Sequence, residues 1–172
     1  MTLEERLVAV VTSLCHANLP CALAGGFAYG IHIIPRATTD IDLIVVSTAE
    51  VERIEDALHR AFEKLIPHRE SMAAGGVSIR RFVRFDDEQE TIVDFIIPAN
   101  HDFGVTILQR SVPLPFRGVD IPVVSLEDLY LLKKLSIRLQ DMSDCEMIMK
   151  IKGSQMDWPY VDKWKERLGI KD

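Results

Sequence analysis

The chain has 172 residues, 48% hydrophobic and 27% charged, which suits one folded domain and excludes a disordered polypeptide. A formal charge of −6 argues against broad, sequence-blind nucleic-acid binding and leaves room only for a local basic groove. No apolar run reaches the roughly eighteen residues of a membrane span, Met1-Thr2-Leu3-Glu4-Glu5 does not read as a signal peptide, and Cys15, Cys21 and Cys145 fit a reduced, cytoplasmic setting.

Leu3, Leu7, Val8, Val11 and Leu14 recur at helical spacing and predict an amphipathic helix over 3–17. Asn18-Leu19-Pro20 breaks it, and Cys21–Ala24 reads as a short buried strand ending at Gly25-Gly26. The glycines are expected to open a helix to about Ile33, leaving backbone N–H groups where an anion docks, and Pro35 to close it. Taken alone, such a glycine pair equally suits a plain tight turn.

A strand is predicted over 41–46, entered through Arg36-Ala37-Thr38-Thr39-Asp40-Ile41-Asp42-Leu43. Alternate side chains of a strand share a face, so Asp40 and Asp42 stand together about 7 Å apart. Two carboxylates held this way repel, and are tolerated mainly where a divalent cation sits between them. A surface role for Asp40, capping the strand or pairing with Arg36, leaves Asp42 unexplained. Arg36 itself offers a planar fork for phosphate, or pairs with a local carboxylate. Thr38 and Thr39 either donate to phosphate oxygens or stiffen the loop.

Thr48 is expected to cap a helix over about Ala49–Leu65. Ser78–Phe85 and Thr91–Ile97 then read as antiparallel strands about the turn Asp86-Asp87-Glu88-Gln89. Asp94 is costly to bury unpaired in the second of them. Either it joins Asp40 and Asp42, or it pairs with Arg80, Arg81 or Arg84 on the neighbouring strand. Three carboxylates suffice to hold two Mg²⁺ ions about 3.5–4 Å apart. All-oxygen donors, with five scattered histidines and no Cys/His cluster, point to Mg²⁺ over zinc.

His101–Arg110 reads as a helix, and Val112–Phe116 with Val119–Val124 as a hairpin around Arg117-Gly118. Ser125, with Asp128 three residues on, starts a helix to about Leu139, followed by helices over about 142–150 and from Asp157. Lys133 falls at the border of the Leu129/Leu132/Leu135 face, as a snorkelling lysine or a cation for the site. Met142, Met147 and Met149 are read as core filler, and Trp158 and Trp164 as docking the tail. The order predicts an α/β (α+β) fold, a mixed twisted sheet flanked by helices. One domain spans 1–172, its helical C-terminal part about 125–172.

Gly25-Gly26, a short helix, the Arg36-x-Thr38-x-Asp40-x-Asp42 run and Asp94 together resemble the nucleotidyltransferase superfamily of the DNA polymerase β type. Thirteen residues separate Gly26 from Asp40, a long spacing for that family. Ser125–Leu129, Lys133 and Asp141–Asp144 extend the likeness to small prokaryotic nucleotidyltransferases of the abortive-infection toxin group. Asp141 and Asp144, with Arg138 upstream, resemble its basic-x-x-Asp-x-x-Asp element, although Gln140 stands where the group usually has Lys. Without that basic residue, a plain helix-start cluster of acids explains the pair equally well. The resemblance implies a nucleotidyltransferase fold and Mg²⁺-dependent transfer of an NMP from an NTP, ATP among them, to a hydroxyl acceptor: an RNA 3′ end, a protein or a small molecule such as an aminoglycoside. It implies catalytic and metal-binding roles for Asp40, Asp42 and Asp94, nucleotide binding by Gly25, Gly26, Arg36, Thr39 and Lys133, and an antitoxin as partner. The alternative is a noncatalytic binding or regulatory protein on the same fold.

Overall fold

The computed structural model describes residues 1–47, 50–62, 65–67, 72–86, 89–136 and 138–171. Helix α1 (Leu3–His16) opens with a capping box, the Thr2 hydroxyl accepting from the Glu5 N–H while Glu5 accepts from the Thr2 N–H. Its Leu7, Val10, Val11 and Leu14 are buried. There follow β1 (Ala22–Leu23), α2 (Gly25–His32), β2 (Asp40–Ile44), α3 (Glu50–Ala61), β3 (Leu65–Pro67), β4 (Met72–Ala74), β5 (Val77–Asp86) and β6 (Gln89–Pro98). The remainder is α4 (His101–Arg110), β7 (Val112–Phe116), β8 (Val119–Val123), α5 (Leu126–Lys134), α6 (Leu139–Lys152) and α7 (Trp158–Leu168).

The described strands form one mixed sheet in the order β3-β5-β6-β2-β1-β8-β7, with β4 beside β5. β2 runs parallel to β6 and antiparallel to β1, while β5 and β6 form a long antiparallel pair. Ile41, Leu43, Val93 and Phe95 bury one side of β2 and β6 against the helices. That anchoring fixes which face the intervening residues present. The tail docks as expected: Trp164 is buried with its ring 5.0 Å from Phe103, and Trp158 stands edge-on to Tyr130.

Three expectations are corrected, and one falls outside the described residues. The helix predicted to reach Leu65 ends at Ala61, and Leu65 instead starts β3, paired with β5; at three residues each, β3 and β4 are too short to carry a periodic signal. Thr48, Ala49, Asp87 and Glu88, expected as a cap and a turn, lie outside the described residues. The helix begun at Ser125 stops at Lys134, where the left-handed β4–β5 turn at Gly75 lies against the Leu135 carbonyl, and α6 starts at Leu139. Met142 and Met149 are exposed rather than core, since Cys145 and Ile148 take the inner side of α6.

Candidate functional site

The glycine turn and the acidic strand are fitted to each other atom by atom. Gly25 has φ +57°, a left-handed conformation that disfavours any side chain, and a Cβ there would lie 1.8 Å from Oδ2 of Asp42. A Cβ on Gly26 would lie 2.6 Å from Oγ1 of Thr38. The Gly26 N–H donates to the Asp42 carboxylate, and Ala24 donates to the Asp42 carbonyl at 2.9 Å. Helix α2 has no side-chain cap, so its first amides face the acids and the loop from Arg36 to Thr39.

Asp42 and Asp94 are register partners on the parallel strands β2 and β6, and Asp40 lies two residues before Asp42 on the same face. Burial, then the charges of Asp94 and Asp40, push the Asp42 carboxyl up to about 6. Asp40 accepts from the Thr39 hydroxyl at 2.8 Å. Asp94 is occupied differently: Arg81, its partner on β5, grips it with two N–H bonds of 2.8 and 2.7 Å. Of the three arginines considered for Asp94, Arg81 takes it; Arg84 lies over the Phe62 ring. Among the described residues no three metal-binding side chains close around a common point. The donor chemistry nevertheless fits a hard cation. Asp40 and Asp42 are oxygen donors on one strand face, and Arg138 and the Gly26 N–H only partly offset the burial and like charges around Asp42.

The opposite wall comes from the C-terminal helices. Lys133 is buried rather than snorkelling, donating to Asp141 at 2.8 Å and to Asp144 at 2.6 Å. Arg36 donates to Asp144 at 3.0 Å across 108 positions of sequence, and Arg138 donates to Asp141 at 2.7 Å. Both Arg36 and Lys133 also lie over the Tyr29 ring, at 5.2 and 5.6 Å. The Nε–H of Arg36 is buried with no acceptor among the described residues. Against the cost of desolvation, hydrogen bonds from Lys133, Ser136 and Arg138 hold the Asp141 carboxyl below its usual range. Asp141 and Asp144 therefore anchor the basic residues from behind.

Two cavities meet at Asp42. One of about 290 Å³ is polar, bordered by Gly26, Arg36, Thr38, Thr39, Asp40 and Gln140. The other, about 250 Å³, lies on the Asp94 side and is walled by Val77, Ile79, Ile96, Leu129 and Leu132, with Arg81 and Ser136. Gly25, Asp42, Lys133, Arg138 and Asp141 border both. A larger cavity of about 560 Å³, between Val46, Gly76, Pro98 and His101, has no acidic or basic side chain besides His101 among the described residues.

The residues given nucleotide- or metal-binding roles from sequence thus lie at the two cavities: Gly26, Arg36, Thr39 and Asp40 at the polar one, Asp94 at the apolar one, and Gly25, Asp42 and Lys133 at both. Arg138, noted upstream of Asp141 and Asp144, does pair with Asp141. Sequence reading missed Tyr29 beneath the two cations, whose one signal was its place a helical turn after Gly25.

The family profile described as "Nucleotidyl transferase AbiEii toxin, Type IV TA system" matches residues 7–150. A search of curated proteins gave no match. Among solved structures, a candidate nucleotidyltransferase from Thermotoga maritima superposes with a TM-score of 0.57 at 18% identity, covering 85% of this chain and 89% of that one. ANT(2″)-Ia, solved with adenylyl-2″-tobramycin, gives a TM-score of 0.57 at 13% identity, covering 98% and 97%. An antigenic nucleotidyltransferase-like protein from Paracoccidioides brasiliensis gives 0.50 at 19% identity, covering 86% and 75%. At these identities the structural likeness speaks for the fold.

Proposed function

The chain belongs to the nucleotidyl transferase AbiEii toxin family, and on that premise we propose that it is a single-domain, Mg²⁺-dependent nucleotidyltransferase acting in the cytoplasm. It transfers an NMP from an NTP, ATP among the candidates, to a hydroxyl of an RNA 3′ end, a protein or a small molecule, and an antitoxin opposes it. The observation that carries this reading is the Gly25–Asp42 fit. The start of α2, with no cap from its own Ala24, is held against a carboxylate whose neighbours across and along the sheet are also carboxylates.

In this reading Gly25 and Gly26 seat the β- and γ-phosphates at the start of α2. Arg36 contributes its unpaired Nε–H, Thr39 its hydroxyl and Lys133 its charge, Arg36 being fixed from behind by Asp144 and Lys133 by Asp141 and Asp144. Asp40 and Asp42, joined by Asp94, would hold Mg²⁺, which supplies neutralisation of the triphosphate charge. The acceptor hydroxyl approaches from the Asp94 side and attacks the α-phosphorus. The bond to the β-phosphate oxygen breaks, pyrophosphate leaves, and the hydroxyl proton passes to Asp94 or to water. The protein contributes positioning and preorganised charge.

Incubation with each α-labelled NTP, Mg²⁺ and either total RNA, lysate protein or an aminoglycoside panel tests the assignment. Label is expected in one acceptor class and lost in the Asp40→Asn/Asp42→Asn double variant. A noncatalytic nucleotide binder is the second reading, favoured by the occupation of Asp94 by Arg81; nucleotide that binds yet never transfers to any acceptor selects it.

A further inference from the structure

Arg81, Asp94 and Asp42 stand in one row across three adjacent strands, since Arg81 pairs in register with Asp94 and Asp94 with Asp42. The guanidinium uses both of its forked N–H groups on both Asp94 oxygens. A carboxylate gripped in this way has its best lone pairs engaged, and a cation shared with Asp40 and Asp42 requires at least one of them. The Asp94 side chain is only 6% exposed, whereas Arg81 is 29% exposed and borders the apolar cavity. The arginine, the more exposed of the two, therefore has space to turn into.

Resting on the nucleotidyltransferase reading, we propose that Arg81 is a positioning residue that competes with a divalent cation for the Asp94 carboxylate, so that the third ligand joins Asp40 and Asp42 only when Arg81 lets go. The electrostatics agree with this placement. Hydrogen bonding to Asp94 raises the Arg81 pKa despite desolvation, and the charges of Asp94, Asp40 and Asp42 raise it further. Arg81 thus lies in the field of all three acids. A purely structural pair would behave differently, because removing the arginine would then weaken the fold without improving cation binding.

Mn²⁺ titrated alone and followed by electron paramagnetic resonance tests the proposal on the wild type, Arg81→Gln, Arg81→Lys, Asp94→Asn and the Arg81→Gln/Asp94→Asn pair. Arg81→Gln is expected to bind about tenfold more tightly than wild type. Arg81→Lys, which keeps the charge but loses the fork, should give a smaller gain. In the Asp94→Asn background the Arg81→Gln change should give none. Unchanged or weaker Mn²⁺ binding by both Arg81 variants overturns the proposal, as does an equal gain in the Asp94→Asn background, which would mark a mere field effect. Melting curves are recorded first, and if Arg81→Gln fails to fold, Arg81→Lys alone decides. Wild-type Mn²⁺ binding that survives Asp40→Asn/Asp42→Asn, or that is absent in every variant, overturns the cation site itself along with this inference.

Discussion

The room that a side chain on Gly25 would need is filled by the carboxylate of Asp42. The left-handed backbone at Gly25 makes the same demand independently. Gly25→Ala should therefore cost at least ~1–2 kcal/mol from backbone strain alone, with the steric conflict added to it. Urea denaturation measures the first, and nucleotide titration should show binding lost with it. An Ala variant of wild-type stability and affinity would mean that the turn and the strand are not fitted as described.

Asp42 makes stability depend on pH in an unusual direction. Its folded carboxyl titrates at about 6, above the ordinary 3.8, because burial and then Asp94 and Asp40 disfavour its charge. The folded state therefore binds the proton more tightly than the unfolded chain. In EDTA this group's contribution is most favourable below pH 4, declines as pH rises from about 4 to 6, and is flat above. After allowance for partial exposure the decline is ~1–2 kcal/mol. Asp42→Asn should abolish it, raising the melting temperature at pH 7 relative to wild type but not at pH 3.5.

Lys133 is predicted to matter for folding as well as for nucleotide. Lys133→Met leaves Asp141 and Asp144 facing each other with one cation fewer, and loss of one member of a buried ionic cluster costs about 3–5 kcal/mol. Neutralising an acid at the same time, in Lys133→Met/Asp144→Asn, should recover part of that stability while nucleotide affinity stays low. Equal melting temperatures for the single and double variants would contradict the cluster.

The tail is latched by a different set of residues. Asp128 is fully buried and accepts from the Tyr160 and Ser125 hydroxyls, with Arg110 lying 3.9 Å above the Tyr160 ring. Tyr160→Phe should cost about 1.5–3 kcal/mol and speed hydrogen exchange in α7. Cation binding at Asp40 and Asp42 should not change at temperatures where the variant is folded.

How far the sequence disclosed all this follows from the kind of signal each part carries. Asp40 and Asp42 were legible because strand alternation fixes their shared face, and Gly25-Gly26 because little else tolerates such a turn. The pairing of β2 with β6, which sets Asp94 beside Asp42, is a long-range choice that alternation does not encode. Choosing Arg81 over Arg80 and Arg84 required the register of β5 on β6, since a shift of one residue turns a different arginine toward the site. Lys133 read as a border lysine because its partners, Asp141 and Asp144, belong to another helix. The break between α5 and α6 that brings them together lies against a turn from elsewhere in the sheet. The edge strands β3 and β4 were invisible for want of length.

The salt bridge joining Arg36 to Asp144 has a bearing on when a growing polypeptide can complete its cleft. Ribosomes deliver the glycines and all three strand acids early, but the lysine and aspartates that brace the cationic wall emerge last. A chain lacking its C-terminal helices thus has the strand acids without the cationic wall of Lys133 and Arg138 opposite them, and only those helices complete the cleft.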